Sequence, residues 1–575
     1  MAKDDDFISD VKERYKEATD GWRHIYEAAS DDMKFVYDID EGQWPANIRA
    51  QRETDGRPVI TSNKLQKVLR RIRGDGLMNR PRLKVIPADS QADPPMAELY
   101  SDIIREIEYL SAADIAYDTA HNHAISSSVG FFRLITQFSD DMSFDQDIRI
   151  KRINNQLSVH FDPYATEFNL EDAKYCFVED LMDKKYFRKR YPGAEISDFD
   201  STSGNVFGDW MQKDKVKVAE YFYKDPVQKK IVLLSTGEII PVDNEKTIEA
   251  IREMGGQVVR ERIVNTHVVR WCKVNGFEVL EKKVWPGKHI PIIPVFGDEV
   301  VVDGKKYYLS LARGAKGPQQ MYNYWATAAT ETVALAPKMP FIVDHRQIKD
   351  FEQEWDEANL SNRMYIRYNA VQGLNKPSRE PQAQIPTGIM NMMQATAYDI
   401  EDHLGDYQSA KGEESNERSR VAILARVEQS NKGTYLFFNN RTRAIIYAGR
   451  QLIDLIPKIY NRQRVIQTMT ETGDHNRVEV NKQVLGPDGN PAVQNDLSVG
   501  KYDLIATVSA EFASKRQEMV QMMINAMQYA GPETAQIIAP LIFEYSDWPG
   551  AQEIAGKIQQ AIGRLQQLQN TQGTA

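Results

Sequence analysis

The chain has 575 residues, with 82 Asp and Glu against 72 Lys and Arg, so its net charge is −10 and its pI is about 5.6. Hydrophobic residues make up 42% and charged residues 27%, enough for real cores, and the length exceeds what one core organises, so two or more domains are expected. The acidic balance excludes a protein that grips DNA over a broad basic face; any meeting with DNA has to be non-adhesive or confined to local patches.

No apolar run approaches the length of a membrane span, and mean hydropathy is −0.53. Residues 1–10 are acidic and polar, unlike a secretory signal, which predicts cytoplasmic synthesis. Cys176 and Cys272 are the only cysteines. Their separation predicts neither a disulfide framework nor a zinc site.

Residues 7–30 predict an amphipathic helix, with Phe7, Val11, Tyr15, Ala18, Trp22 and Ile25 at helical spacing. Further helical runs cover 65–73, 97–110 (Leu99, Ile103, Ile107 and Leu110 on one face) and 112–127. From Gly130 the period changes. Strands are predicted over 131–138, 147–153, 158–161, 215–223, 230–234, 261–273, 277–285 and 290–296, with Asn275-Gly276 as a hairpin signal. This block reads as a small barrel or sandwich with helical inserts at 171–191 and 244–254.

After Val302-Asp303-Gly304 a helix is predicted over 317–336, with Pro318 in its first turn and Pro337 as its stop. Met321, Trp325, Ala328, Thr332 and Leu335 share one face, and at 1.5 Å per residue the helix spans roughly 30 Å. Residues 338–385 form an insert: a strand at 341–343, a helix at 348–358, a strand at 363–368 and an exit through Pro377, Pro381 and Pro386. A second helix, 386–404, aligns Ile389, Met393, Ala397, Ile400 and Leu404. Residues 405–415 read as a loop. A long helix over 417–456 has Gly433 as a candidate kink and Pro457 at its end. Strands return over 462–510, with a hairpin around 487–490. A Met-rich helix (512–529) and a Gln-rich helical tail (533–568) follow.

Several chemical signals weaken on inspection. His121-Asn122-His123 lies in a plain helical pattern without metal partners. Asp140, Asp141, Asp145 and Asp147 read as a charged hairpin turn, since the glycine and closing glutamate of a calcium loop are absent. Gly74-Asp75-Gly76 lacks the Lys-Ser/Thr ending of a phosphate loop. Met519, Met522, Met523 and Met527 read as packing. No cofactor or metal site is expected.

The segments Met321-Tyr322-Asn323-Tyr324-Trp325 and Leu335-Ala336-Pro337-Lys338-Met339-Pro340 resemble the first stem helix and clip start of portal proteins of the P22-like short-tailed phages. So do Trp44-Pro45, the run from Arg57-Pro58 to Asn63-Lys64, the run from Asn79-Arg80-Pro81 to Ile86-Pro87, and the run from Phe144 to Ile148. Asp162-Pro163, the run from Asp172 to Phe177, Leu455-Ile456-Pro457-Lys458-Ile459-Tyr460 and Gly500-Lys501-Tyr502-Asp503 are similar to the family's later landmarks. The resemblance covers about residues 20–530. It rests on the order and spacing of these segments rather than on any single motif.

That resemblance implies an α+β portal fold with long stem helices, a β-rich wing, an inserted clip lobe and a short helical crown. The wing would take 1–316 and 419–530, the stem 317–337 and 386–404, the clip 338–385, the channel (tunnel) loop 405–418 and the crown 531–575. The short tail departs from the longest members, which carry an extended helical barrel. The implied role is a non-enzymatic ring, a dodecamer, at one capsid vertex. It would pass double-stranded DNA in packaging and ejection. It would dock the terminase large subunit and then a tail or head-completion adaptor protein, beside major capsid and scaffolding proteins and with no membrane partner. Its place would be the virion, after assembly in the host cytoplasm. The alternative, a nuclease or motor subunit of the packaging machine, lacks the phosphate loop and clustered carboxylates it needs.

In such a ring, Asp399, Glu401, Asp402, Asp406, Glu413, Glu414 and Glu417, with Lys411 and Arg418, become candidates to line the channel. In a monomer the same residues are an ordinary solvated helix end. Lys349, Asp350, Glu352, Glu354, Asp356, Glu357 and Arg363 are the candidate partner surface of the clip.

Overall fold

A computed structural model describes residues 2–78, 80–90, 92–194, 215–235, 239–242, 257–275, 278–335, 341–358, 364–379, 387–405, 434–470, 475–485, 491–508, 520–527 and 538–543, with a few single positions besides. The predicted helix at 244–254, Gly433, and candidates Asp406, Lys411, Glu413, Glu414, Glu417, Arg418 and Arg363 lie outside the described residues.

The first helix, α1 (Ala2–Tyr37), is longer than its apolar pattern predicted at both ends. Val11, Tyr15, Ala18, Trp22, Tyr26, Ala29 and Val36 form its buried stripe. It is followed by α2 (Ala46–Thr54), α3 (Lys64–Met78), β1 (Pro81–Pro87), α4 (Pro94–Ser111) and α5 (Ala113–Ser127). Pro94 pre-sets the first turn of α4, where its missing N–H costs nothing. His121 lies in α5 and is 1% exposed, so the histidine pair is indeed part of a helix.

The β-rich block holds two sheets. One orders β10 (Ile292–Phe296), β2 (Val129–Phe138) and β3 (Gln146–Arg152). The other runs β4 (Val159–Phe161), β5 (Tyr175–Asp183), β6 (Lys215–Leu234), β8 (Val258–Val274) and β9 (Val279–Val284), with β7 (Ile239–Val242) on β6. The two pack through Phe131 and Phe161, whose rings stack at 6.1 Å, with Trp22 of α1 completing the same core. Of the two predicted forms, the open sandwich is the one adopted: among the described strands, β4 and β9 leave the larger sheet with edges. Gly130 lets β2 lie close against α5, because a Cβ there would run into the Ala120 backbone.

Two expectations in this block are corrected. Residues 171–191 are not a helical insert. Tyr175–Asp183 is strand β5, between β4 and β6, and only α6 (Lys184–Arg190) is helical. Residues 215–223 and 230–234 are one 20-residue strand, because continuous pairing with β8 overrides the local turn signal at Asp225-Pro226. A hairpin of β11 (Asp298–Val302) and β12 (Lys305–Leu309), turning at Asp303-Gly304, precedes the helix. Cys176 faces Phe222 and Cys272 faces Tyr221, so β6 separates the two thiols and both stay free.

Next come α7 (Lys316–Leu335), β13 (Phe341–Ile342), the single-turn helices α8 (His345–Ile348) and α9 (Glu352–Asp356), β14 (Ser378–Arg379) and α10 (Thr387–His403). The predicted helix 348–358 is thus broken, with Asp350 at φ 75 between its pieces. The predicted strand 363–368 does not form within the described residues 364–368. In α11 (Tyr435–Ile459), Pro457 lies inside the last turn and does not end the helix, since a proline there forfeits only one terminal bond. The chain then adds β15 (Arg464–Met469), β16 (His475–Val480), β17 (Lys482–Leu485), β18 (Pro491–Gln494) and β19 (Tyr502–Val508). β17 and β18 pair across the predicted 487–490 turn, and β19 returns to pair with β1. Their core joins α4, α5 and α11.

Candidate functional site

The feature that stands out from the cores is the α7–lobe–α10 unit. The two helices run antiparallel: β13 pairs with β14 at one end, and at the other a Cβ on Gly314 would lie 3.5 Å from the His403 ring. Tyr322, Ile400 and Leu404 are buried at their base with Leu65, Leu69 and Phe437, and Ala326, Met393 and Ala397 pack against them. The α10 face is the one the sequence predicted.

The α7 face is not. Met321 is 47% exposed, and Trp325, Ala328 and Thr332 are only half-buried. The side chains at 0% exposure are Gln319, Asn323 and Thr327, one turn apart. They grip the backbone of residues 60–65. Lys64 N and Leu65 N both donate to Gln319 Oε1 at 3.0 Å, Ser62 N donates to Asn323 Oδ1 at 3.0 Å, and Ile60 N donates to Thr327 Oγ1 at 3.2 Å. Gln319 Nε2 returns a bond to Ser62 O at 2.9 Å, and Asn323 Nδ2 donates to Gln43 Oε1 at 2.9 Å. One turn further, Glu331 pairs with Arg52 (2.9 Å) and Arg57 (3.2 Å). Polar side chains are tolerated at the centre of this contact because each has a partner. Sequence reasoning missed the stripe, although amides at 319 and 323 followed by a hydroxyl at 327 were its signal.

The start of α7 is anchored as firmly. Asp32 of α1 accepts from Ser310 Oγ (2.7 Å) and Arg313 Nη2 (2.8 Å), and Lys316 Nζ lies 2.6 Å away.

The lobe between the helices is built on small contacts. Phe341 meets Trp355 edge-on at 5.2 Å, Trp355 Nε1 donates to Arg367 O at 2.8 Å, and Gln347 Nε2 donates to Asn375 O at 2.7 Å. Asp344 caps α8, and its carboxyl is held down to about 2 by hydrogen bonds from Arg346 and from its backbone N–H. Of the candidate partner residues, Lys349, Asp350, Glu352 and Asp356 are exposed. Glu354 is instead tied to Arg367, and Glu357 accepts from Gln353 at 3.3 Å.

Asp399, Glu401 and Asp402 cluster in the last turn of α10; Asp399 and Asp402 are exposed and Glu401 is half-buried. A helix C-terminus is the negative end of the macrodipole and favours cations, so these acids do not serve helix stability.

Chemistry is sparse elsewhere. Among the described residues there is no group of three or more His, Cys, Asp or Glu able to hold a metal ion. Asp145 and Asp147 are engaged by Arg464 (4.0 and 3.4 Å), and Asp147 also by Arg149 (3.2 Å), as a charged turn predicts. Gly74, Asp75 and Gly76 lie inside α3. No described helix is long and apolar enough to cross a membrane.

The family described as phage P22-like portal protein matches residues 12–575. A protein named "Portal protein" from Acyrthosiphon pisum secondary endosymbiont phage 1 is 22% identical over 550 residues, covering 89% of this chain and 75% of the relative. With a family match over nearly its whole length, the chain belongs to the phage P22-like portal protein family.

Proposed function

We propose that this chain is one subunit of a twelve-membered ring at a capsid vertex, a conduit for double-stranded DNA without catalysis of its own. The observation that carries this reading is the match over residues 12–575, to a family of structural connectors. The α7–α10 pair is the stem, residues 338–385 the clip, residues 405–418 the channel loop, residues 1–316 and 419–530 the wing, and residues 531–575 the crown. The exposed α7 residues Met321, Tyr324 and Val333 support ring formation, because apolar side chains left outside their own core are available to the next subunit.

The acids that end α10 support a negatively lined channel. Repeated around an axis, they would repel phosphates, so the polymer slides without sticking. The clip, at the far end of the stem, would dock the terminase large subunit and later an adaptor protein. The anchoring of α7 by Asp32 and by Gln319, Asn323 and Thr327 makes stem and wing one mechanical unit. An end view of the purified chain by negative stain tests the reading. A twelve-fold ring with an axial hole is expected, and monomers only, across a broad concentration range, would overturn it.

A further inference from the structure

Between α4 and the strands β3 and β15 lies an open cleft of about 250 Å³. Ile103, Ile107 and Leu110 give it an apolar wall along α4. Glu106 stands on the same helix face, three residues from Ile103 and four from Leu110. It is 4% exposed. Its Oε2 accepts from His475 Nδ1 at 3.0 Å, while its Oε1 is buried without a partner among the described residues. A carboxylate oxygen kept from water and given no donor is costly, and a donor from outside the chain would relieve that cost.

Charge selects the donor. The cleft is lined by Glu106, Asp145 and Asp147 against Arg149 and Arg464, an excess of one acid. Both arginines are engaged by Asp147, at 3.2 and 3.4 Å. The cleft therefore suits a cation. In the same cleft Arg464 Nε is a buried donor that also lacks a partner, and its guanidinium is held over the Tyr460 ring, 4.2 Å from the centroid. A neighbouring cleft of about 160 Å³ is basic, with Lys458 and Arg462 on its wall, and does not suit a cation.

The rim is that of a protein contact. Leu110 and Val465 are 50% and 61% exposed. Met142 and Phe144, on the turn between Ser139 and Asp145 of the cleft wall, are 94% and 91% exposed. A single exposed apolar residue is ordinary, but four around one cleft mark a docking surface. Asp140 and Asp141 on that turn are exposed as well and add to its acidity.

We infer that this cleft docks another protein, which inserts a lysine side chain. The ammonium donates to Glu106 Oε1, the methylenes lie along Ile103, Ile107 and Leu110, and a backbone carbonyl beside the lysine takes the Arg464 Nε–H. Apolar residues flanking the lysine cover the rim. Lysine fits better than arginine, because a planar fork needs both carboxylate oxygens and His475 already holds one. A free polyamine supplies the ammonium but neither the carbonyl nor the apolar flanks. The inference goes beyond the ring reading and does not depend on it, since the cleft is complete within one chain.

The test is ligand-observed saturation transfer on the full-length chain. The probes are an acetylated and amidated tripeptide with lysine between two leucines, the same peptide with glutamine at its centre, and the diamine putrescine. The lysine peptide is expected to bind at least about tenfold more tightly than the glutamine peptide, as one hydrogen bond to a charged group implies. Glu106→Gln should remove that difference, and Leu110→Ser, at a half-exposed position, should weaken the lysine peptide. Equal binding of the two peptides, or a lysine peptide unaffected by both substitutions, overturns the site. Putrescine binding more tightly than the lysine peptide overturns the protein partner in favour of a polyamine.

Discussion

Asp32 of α1, 1% exposed, lies 2.8 Å from Nη2 of Arg313, a residue 281 positions away at the threshold of α7. The carboxylate also holds Ser310 and Lys316, so one buried charge ties the start of α7 to α1. Removing it leaves two cations facing a desolvated gap. Asp32→Ala should cost about 3 kcal/mol, the lower end for a buried pair because Arg313 and Lys316 keep some water contact. Urea denaturation gives the value; a change below about 0.5 kcal/mol, typical of surface sites, would mean that the anchor carries no load.

Asn323→Leu keeps roughly the volume of the buried stripe and removes its hydrogen bonds. Ser62 N and Gln43 Oε1 then lose these partners. Each buried polar group left unpaired costs about 1–3 kcal/mol. Hydrogen exchange should show Ser62, Lys64 and Leu65 amides exchanging faster than in the unsubstituted chain. Unchanged protection there would assign the grip on this segment to other contacts.

His121 makes stability depend on acid. Burial first, then the charges of Arg441 and Arg73, push its pKa down to about 3. An unfolded histidine titrates near 6.5, so between these values the unfolded chain binds a proton that the folded chain refuses. Its contribution is full above about pH 6.5 and is lost as pH falls towards 3, at about 1.4 kcal/mol per pH unit. His121→Phe, packed on Phe438 as the imidazole is, should flatten the stability curve between pH 6 and 4 by about one proton. An identical slope in both chains would show that His121 protonates without unfolding.

Lysine in place of Asp399 and Asp402, or of Glu413, Glu414 and Glu417, should turn the proposed negative channel into a basic one. Many phosphate contacts would then form at once, and their release of counterions makes the effect salt-dependent. Packaging and ejection should slow at low salt and recover partly as salt rises, because exposed charges are screened over about 8 Å at physiological ionic strength. Ring assembly should be unaffected. Normal packaging speed at low salt would place these acids away from the DNA.

The sequence by itself determined the order of the elements. Apolar spacing at three to four residues marked α1, α4, α5 and α10, alternation marked the β-rich block, and Asn275-Gly276 marked the β8–β9 turn, because these signals are local and each element must bury one face. The helix–insert–helix order was legible for the same reason. What only the tertiary structure decided is which faces are used. The buried face of α7 is polar, since Gln319, Asn323 and Thr327 meet partners more than 250 positions away, and a hydrophobicity pattern cannot register a cost that a distant partner removes. Residues 215–234 form one strand because β8 lies alongside. Residues 364–368, strand-like in composition, form none, because a strand exists only where another backbone accepts its hydrogen bonds.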